Sequence, residues 1–434
     1  MIRLDERLTP SRAPLTPMRL RAMARTLRAG GVELRSLPES TRMAALDRVA
    51  ASWLAADSPW RRQALVELPM STGYPRAAIE IALANLWGAL RAPHLSTARQ
   101  TELGDRGGHA GPVPGLALHV LAGNVPGVGV FGIVAALLAG VPSLVKPASR
   151  EPFLPALLVD SIAAVAPELC RAVAVAPWRG GTAELDAIAV GEADLVLAYG
   201  RDETLDRLST RHPRRLLRFG RRLSVALIAR SALTRETAAA LARQVALFDQ
   251  QGCLSPQLAC AEETSGAETE RFAGMVADEL AQLQHELPPA PLSVAESAAV
   301  WRFLEQQRWR AQEGAAVVVY GGRDGNPSVV CDRTPERPMS PTFRHLVMVP
   351  VPSLASVIDV LRPLAGVVEA IGYAGPTDRL AEASTLAARC GAHRLCPLER
   401  LQAPPFAWRQ SGHARLASFA GLDDAAGEPR TAFA

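Results

Sequence analysis

Residues 116–149, LALHVLAGNVPGVGVFGIVAALLAGVPSLVKPAS, decide how this chain folds. The apolar run at 116–122 predicts a buried strand, and a glycine-rich turn follows it at 123–129. Residues 130–139 predict a helix, and 143–145 predict a second short strand. A strand, a tight turn, a helix and another strand in close succession are typical of a parallel βαβ unit.

The same alternation continues on both sides of position 230. Up to that position we predict strands and helices in turn at 153–165 (helix), 172–175 (strand), 183–190 (helix), 194–198 (strand), from 203 (helix) and 222–229 (strand). Beyond it the pattern predicts helices at 234–248, 268–286, 354–364 and 378–389, and strands at 258–261, 316–320, 346–349, 367–371 and 393–395. The fold class is therefore α/β, with a Rossmann-like cofactor domain and a second α/β domain.

The chain divides into four predicted regions. Residues 1–103 carry apolar residues at three- and four-residue spacings and predict a helical N-terminal region. We assign 104–230 to a dinucleotide-binding domain, 231–400 to the second α/β domain, and 401–434 to a C-terminal segment. Two stretches rich in turn-forming or small residues are expected to form a linker and a frayed tail, namely 104–115 and the residues after 421.

Composition excludes several classes of protein. With 48% hydrophobic and 21% charged residues over 434 positions, the chain is neither a disordered protein nor a small disulfide scaffold. Its net charge of +4 is small and no basic stripe is interleaved with aromatic residues, so no nucleic-acid partner is expected. The six cysteines form no CxxC pair and no Cys/His spacing suited to zinc, which predicts reduced thiols, a cytoplasmic protein and no metal.

Two segments bear on export and membranes. Residues 1–17 contain no apolar run of the kind that a secretory signal needs, so no such signal is expected. Residues 125–145 contain no charged residue and have the length of about 20 residues that a membrane span requires. Prolines and glycines interrupt this run, as turn, helix, turn and strand of a packed parallel sheet would, and we expect no membrane span. The interrupting residues are Pro126, Gly127, Gly129, Gly132, Gly140 and Pro142.

Lys146 is the only lysine in the chain, since 46 of the 47 basic residues are arginine. It closes a predicted strand in the sequence Val-Lys-Pro, and ligands of open α/β sheets bind beyond the carboxyl ends of the strands. A lysine there can hydrogen-bond a ribose or a phosphate. Because lysine is a compact point charge and arginine a broad planar fork, the two are not equivalent. The alternative is compositional chance, since one remaining lysine must lie somewhere.

Two further residues are candidates for chemistry. Asn124 lies in Gly-Asn-Val-Pro-Gly, where its amide can donate into a cleft at the start of a helix, although such turns are also common without a function. Cys253 lies in Asp-Gln-Gln-Gly-Cys-Leu-Ser-Pro, on a loop between a helix and a strand. A reactive thiol and a packed one are equally compatible with that setting. For the other five cysteines, the favoured interpretation is a buried thiol that packs as a small hydrophobic side chain.

These blocks, in this order and spacing, resemble the LuxC-type acyl-CoA reductase family of the aldehyde dehydrogenase superfamily, most closely at 119–150 and 245–260. The resemblance implies that Asn124 helps form an oxyanion hole and that Cys253 is the nucleophile that carries the acyl group. It also implies that Lys146 contacts the adenosine ribose. Further cofactor contacts carry over to Pro126, Gly127 and Gly200. Region 231–400 would then be the catalytic thiol domain.

Two departures from the superfamily refine the expected activity. The stretch Arg218-Phe219-Gly220-Arg221-Arg222 has no carboxylate where hydrolytic aldehyde dehydrogenases carry the glutamate that activates water. A thioester intermediate is then not readily hydrolysed, which favours coenzyme A or another thiol as the partner. Ser149 replaces the acidic residue that grips the ribose hydroxyls in NAD enzymes, and Arg150 follows it. A serine does not repel the 2′-phosphate, so we expect NADPH as cofactor.

The expected activity is NADPH-dependent reduction of a long-chain fatty acyl-CoA, or of another acyl thioester, to an aldehyde. Three alternatives stay open at this point. The chain could be a non-acylating aldehyde dehydrogenase that produces acids, a reductase of an acyl phosphate, or a non-redox acyl-carrying subunit. By resemblance to the superfamily a homo-oligomer is expected. The sequence determines neither the acyl chain length nor the identity of the thioester donor.

Overall fold

A computed structural model describes residues 15–104, 113–211, 213–265, 267–323, 325–335, 339–421 and 430–431. Their contacts divide the chain into two compact units. The first comprises Met1–Arg221 with Pro405–Ala426, and the second comprises Arg222–Pro404 with Gly427–Ala434.

The first unit begins with five helices: α1 (Pro17–Ser36), α2 (Glu39–Leu54), α3 (Pro59–Thr72), α4 (Arg76–Gly88) and α5 (Ala92–Leu103). Helix α1 starts at a typical capping site, because the Thr16 side chain accepts from the Arg19 N–H and proline occupies the first helical position. Its buried side chains Leu20, Ala24 and Leu27 join the same hydrophobic core as the first strand of the sheet. The helical region therefore packs as part of this unit.

Two adjacent glycines in the middle of α1 permit that packing. A β-carbon at Gly30 would collide with the backbone carbonyl of Arg171, and one at Gly31 would lie 2.6 Å from the ring of Pro142. Glycine in a helix interior costs about 0.5–1 kcal/mol relative to alanine. Here the absence of side chains at these two positions lets the backbone of α1 lie directly against Arg171 and Pro142.

The first sheet has five parallel strands in the order β3-β2-β1-β4-β5. These are β1 (Ala117–Val120), β2 (Ser143–Lys146), β3 (Val173–Val175), β4 (Leu195–Tyr199) and β5 (Leu216–Phe219). The connecting helices are α6 (Val130–Leu138), α7 (Phe153–Val165), α8 (Ala183–Glu192) and α9 (Asp202–Ser209). The strand order reverses between β1 and β4, and the carboxyl ends of strands at such a point are the usual ligand site of an open α/β sheet.

The second sheet has eight strands in the order β13-β12-β11-β6-β7-β10-β9-β8, and only the β8–β9 pair is antiparallel. The strands are β6 (Leu223–Ile228), β7 (Pro256–Glu262), β8 (Val317–Gly321), β9 (Ser328–Asp332), β10 (His345–Val351), β11 (Val368–Ala374), β12 (Arg394–Pro397) and β13 (Arg430–Thr431). The helices of this unit are α10 (Arg235–Ala246), α11 (Glu268–Leu283), α12 (Val294–Gln312), α13 (Val357–Leu361) and α14 (Leu380–Arg389). Helix α15 (Arg415–Phe419) follows in the first unit.

The structure confirms the α/β class with largely parallel sheets. Three of its differences from the sequence-based boundaries bear on the domains and on the loop of Cys253. Strand β6, which we assigned to the dinucleotide-binding domain at 104–230, pairs with β7 and β11 of the second sheet. The segment from Pro405 belongs to the first unit and is not a separate C-terminal region. The helix predicted at 234–248 ends at Ala246, and the residues after it adopt another conformation.

Some expectations concern residues outside the described part of the chain. Most of residues 1–17, to which the secretory-signal prediction applies, most of the linker at 104–115 and most of the tail after 421 fall there. Within the described residues, no helix combines the length and the apolar character that crossing a bilayer demands.

Candidate active site

The turn between β1 and α6 carries Asn124, Pro126 and Gly127. Gly127 and Gly129 have φ of +85° and +88°, a left-handed conformation that residues with a β-carbon rarely adopt. Pro126 is buried and Asn124 is exposed. The carbonyl oxygen of Asn124 accepts a hydrogen bond from the Tyr74 hydroxyl at 2.7 Å, which holds the backbone of the turn at this residue.

Lys146 is the last residue of β2 and is only 7% exposed. Its Nζ lies 5.4 Å from the centre of the Trp178 ring, a cation–π contact. The Trp178 indole donates in turn to Oδ1 of Asp186 at 2.8 Å. Burial lowers the pKa of Lys146, the charge of Asp186 opposes that shift, and the charge of Arg207 adds to it. A buried lysine is therefore held on an aromatic ring with one anion and one cation near it.

Three consecutive polar residues, Ser149, Arg150 and Glu151, lie shortly after β2 and differ in the contacts that they make. Ser149 is exposed. The Arg150 guanidinium donates to the carbonyl oxygen of Thr72 at 3.1 Å. Glu151 accepts from the Leu154 N–H at 2.8 Å at the start of α7, and burial raises the pKa of its carboxyl group to about 7. Arg150 thus bonds to the end of α3, and Glu151 bonds to the start of α7.

Gly200 follows β4, and its N–H donates to the carbonyl oxygen of Phe219 at 3.2 Å. The rings of Tyr199 and Phe219 stack at 4.4 Å, and His413 meets Phe219 edge-on at 5.5 Å. A cavity of about 10 Å³ lies against these three rings. It has room for about one water molecule and is too small for a substrate.

Cys253 lies on the short loop before β7 and is half-buried. The Ser224 hydroxyl donates to the carbonyl oxygen of Cys253 at 2.8 Å. On the same loop, the side-chain amide of Gln250 donates to the carbonyl oxygen of Pro256 at 2.9 Å. Neighbouring groups therefore fix the backbone on both sides of the thiol.

The backbone just before Cys253 is strained. Phe248, Asp249 and Gln250 have φ of 59°, 50° and 60°, in the left-handed region. A second run of three left-handed residues occurs at positions 342–344, with φ of 70°, 57° and 68°. Such conformations cost about 1–3 kcal/mol each and persist only where surrounding contacts enforce them. We call these two runs the left-handed segments.

The left-handed segments are bonded to each other. The Phe343 N–H donates to the carbonyl oxygen of Asp249 at 2.9 Å. The Gln251 amide donates to the Thr342 hydroxyl at 2.8 Å. Arg344 Nε donates to Oδ1 of Asp249 at 2.5 Å, and the two side chains are only 1% and 3% exposed. A buried ion pair therefore locks the loop that carries Cys253 to the segment before β10.

The other cysteines differ from Cys253 in their surroundings. Cys260, Cys331, Cys390 and Cys396 are buried, and burial raises the pKa of each of these thiols, for Cys331 to about 12 and for Cys390 to about 11. Thiolates, which are the nucleophilic form, are therefore disfavoured at those four positions. The prediction that these four cysteines are buried is therefore confirmed, whereas Cys170 is half-buried.

The predicted site residues fall into the two units. Six lie at the carboxyl ends of β1, β2 and β4 in the first unit: Asn124, Pro126, Gly127, Lys146, Ser149 and Gly200. Cys253 belongs to the second unit. Sequence reasoning missed Trp178 and Asp186 beside Lys146, and Asp249 and Arg344 beside Cys253. The Gly180-Gly181 turn after β3 is the sequence feature that could have pointed to Trp178 and Asp186. No sequence feature pointed to Asp249 and Arg344.

The carboxyl edge of the first sheet fits a nucleotide. Oδ2 of Asp186 is buried and has no hydrogen-bond partner among the described residues, so an acceptor is left over beside the lysine. A β-carbon at Gly180 would lie 3.9 Å from Nζ of Lys146, so bare backbone borders the ammonium group. A cation, glycine backbone and strand ends together are the donor set that dinucleotide sites use.

Comparison with known proteins agrees with this geometry. The model of the acyl-CoA reductase (LuxC) family matches residues 40–419. The chain belongs to this family. Among its curated members, long-chain acyl-protein thioester reductase 2 of Photobacterium leiognathi is 30% identical over 148 residues, which are 33% of this chain and 31% of that protein. The corresponding reductase of Vibrio harveyi is 28% identical over 189 residues, 42% of this chain and 39% of that protein. The chain thus matches only about a third of the length of these relatives.

Solved structures place this LuxC-family chain in the aldehyde dehydrogenase fold. The putative aldehyde dehydrogenase PutA of Anabaena variabilis superposes with a TM-score of 0.65 at 18% identity, covering 88% of this chain and 84% of that one. The aldehyde dehydrogenase KauB of Pseudomonas aeruginosa gives 0.68 at 14% identity, covering 88% and 81%. Glyceraldehyde-3-phosphate dehydrogenase GapN of Methanocaldococcus jannaschii, complexed with NADP, gives 0.66 at 14% identity, covering 89% and 87%.

Proposed function

We propose that this LuxC-family chain reduces a long-chain acyl thioester to an aldehyde, with Cys253 as the acyl-carrying nucleophile and NADPH as cofactor. The observation that carries the proposal is the loop of Cys253. A half-buried thiol is held there by strained, cross-bonded backbone, while four other cysteines are buried with raised pKa values. The names of the curated relatives, long-chain acyl-protein thioester reductases, support the substrate class.

The proposed chemistry assigns one step to each residue. The Cys253 thiolate attacks the carbonyl carbon of the thioester, and the Asn124 amide and the Cys253 N–H donate to the oxyanion that forms. The carbon–sulfur bond to the substrate thiol then breaks, and that thiol leaves with a proton. When bound, NADPH would supply the hydride that reduces the acyl carbon; the carbon–sulfur bond to Cys253 then breaks, which releases the aldehyde and regenerates the Cys253 thiolate. Lys146 and Gly200 hold the cofactor, together with the turn at Pro126 and Gly127.

The stretch 218–222 favours reduction over hydrolysis. Arg218 pairs with Asp206 at 2.6 Å and Arg222 donates to the carbonyl oxygen of Gly366 at 2.7 Å. None of these five residues is a carboxylate that could activate water. A thioester on Cys253 therefore persists until hydride or a thiol reaches it. The preference for NADPH rests on the exposed Ser149, which adds no negative charge beside a 2′-phosphate. A cytoplasmic location and a homo-oligomeric state remain predictions.

One experiment tests the proposal and its alternatives. The protein is incubated anaerobically with NADPH and a series of acyl-CoA chain lengths, and the loss of NADPH absorbance is measured together with trapped aldehyde. We expect aldehyde in proportion to NADPH consumed, and none from the Cys253→Ala variant. Acid formed from aldehyde and NADP without added coenzyme A would instead identify a non-acylating aldehyde dehydrogenase. An acylated protein that consumes no NADPH would identify an acyl-carrying subunit.

A further inference from the structure

The Gly180-Gly181 turn after β3 is bordered by two cations. A β-carbon at Gly180 would lie 3.9 Å from Nζ of Lys146, and one at Gly181 would lie 3.7 Å from a terminal nitrogen of Arg207. Gly181 has a φ of +87°, so a larger residue is disfavoured by its backbone as well. Since neighbouring Cα atoms are about 3.8 Å apart, the ammonium and the guanidinium border the same short stretch of exposed backbone.

The two cations differ in the groups that already surround them. Lys146 is buried on Trp178, close to the carboxylate of Asp186. Arg207 is exposed on α9, and no ion pair to its guanidinium is present within the described residues. Two like charges beside one another are unfavourable unless an anion joins them. The charges of Lys146, Arg207 and Asp186 sum to +1, which leaves the turn ready to accept an anion.

We propose that Arg207, across the Gly180-Gly181 turn from Lys146, binds the 2′-phosphate on the adenosine ribose of the dinucleotide. This inference rests on the proposed use of NADPH. The 2′-phosphate is a phosphomonoester that carries about −1.5 to −2 at neutral pH, and a guanidinium binds such a group through two parallel hydrogen bonds. Arg150, the cation next to Ser149 in sequence, already donates to the Thr72 carbonyl, so Arg207 is better placed to select for the phosphate.

Direct binding separates this role from catalysis. Dissociation constants for NADPH, NADH and coenzyme A are measured by calorimetry on the parent and on Arg207→Gln, Arg207→Lys and Arg25→Gln. Arg25 is an exposed arginine on α1 and serves as the matched control. We expect Arg207→Gln to weaken NADPH binding about 10-fold or more, the usual size of a charge-assisted hydrogen bond, and to change NADH binding less than about two-fold. Arg207→Lys should restore part of the loss, and Arg25→Gln should change nothing.

Each other outcome overturns the inference in a distinguishable way. Unchanged NADPH binding by Arg207→Gln removes Arg207 from the site but leaves the proposed function standing. Equal losses for NADPH and NADH would move Arg207 to the pyrophosphate, which both dinucleotides share. A loss confined to coenzyme A would assign Arg207 to the 3′-phosphate of that substrate. A parent that prefers NADH, or that binds neither dinucleotide, overturns both this inference and the proposed cofactor.

Discussion

Removing one partner of the buried ion pair between Asp249 and Arg344 should strongly destabilise the second unit. Asp249→Ala leaves the Arg344 guanidinium, 1% exposed, without its carboxylate. Removing one partner of a buried pair costs about 3–5 kcal/mol. The Ala290 N–H, which donates to Oδ2 of Asp249 at 2.9 Å, also loses its acceptor, at about 1 kcal/mol or more. We therefore expect a loss of about 4–6 kcal/mol.

Thermal and urea unfolding measure this loss. For a domain of about 150–250 residues, each kcal/mol lowers the transition midpoint by about 2–4 °C, so the midpoint should fall by about 8–24 °C. The control is Asp206→Ala, which breaks an exposed ion pair with Arg218 whose side chains are 66% and 42% exposed, and should cost about 0–1 kcal/mol. The double variant Asp249→Leu/Arg344→Met replaces both charges by apolar groups and should regain much of the stability.

A second readout ties the ion pair to the thiol. If the left-handed segments hold Cys253 in place, the double variant should fold and yet show an altered rate of Cys253 alkylation by iodoacetamide. Were Asp249→Ala no less stable than Asp206→Ala, the ion pair would not be what enforces the strained backbone, and the reasoning would fail.

Four further predictions follow from the site. Cys253→Ala should abolish covalent labelling by radiolabelled acyl-CoA in the absence of NADPH; labelling that Cys260→Ala removes instead would reassign the nucleophile. Lys146→Arg should raise the Michaelis constant for NADPH at least several-fold because a guanidinium is wider than an ammonium group, and an unchanged constant would favour compositional chance. Ser149→Glu should lower kcat/KM for NADPH far more than for NADH, since the new charge repels only the 2′-phosphate; an unmoved ratio would mean that Ser149 does not face the ribose. Burial raises the Glu151 pKa from 4.5 to about 7, so the folded state binds the extra proton between these values and stability falls as pH rises through that window, by about 3 kcal/mol; Glu151→Gln should flatten this dependence, measured as urea unfolding from pH 5 to 8.

Apolar patterning predicted much of the fold because parallel strands are buried on both faces. The helix predicted at 153–165 is α7 with the same bounds, and strands β1 and β2 lie within a residue or two of prediction. Helix α12 was missed because its apolar residues form no continuous stripe. Only Val300 and Leu304 among them are buried, while Trp301 and Trp309 are 64% and 59% exposed. Periodicity identifies a helix only when one face is buried.

Long-range contacts account for the rest. The apolar spacing of α10 continues through Leu247 and Phe248, which is why the sequence predicts helix to 248. Phe248 and Asp249 are left-handed instead, because the contact of Asp249 with Arg344, 95 residues away, overrides local preference. The same limit applies at the carboxyl edge of the first sheet. The rule that ligands bind beyond strand ends singled out Lys146. Arg207, by contrast, is one of 46 arginines, and only the fold brings it to the Gly180-Gly181 turn.

The placement of Lys146 argues against compositional chance. In the described part of the chain, every ion pair has arginine as its cation, so lysine is not retained for ion pairing. A lysine left by chance would be expected on the surface, because lysine is almost never fully buried unless it is paired. Lys146 is instead 7% exposed, ends a central strand and rests on Trp178, while its burial lowers its pKa. A compact ammonium fits between an indole ring and a glycine turn where a planar guanidinium would displace one of them. Trp178 and Asp186 offset part of the energetic cost of burying this charge, and an anionic or hydroxyl-bearing ligand would offset more of it, which is the reason to expect a nucleotide at this edge of the sheet.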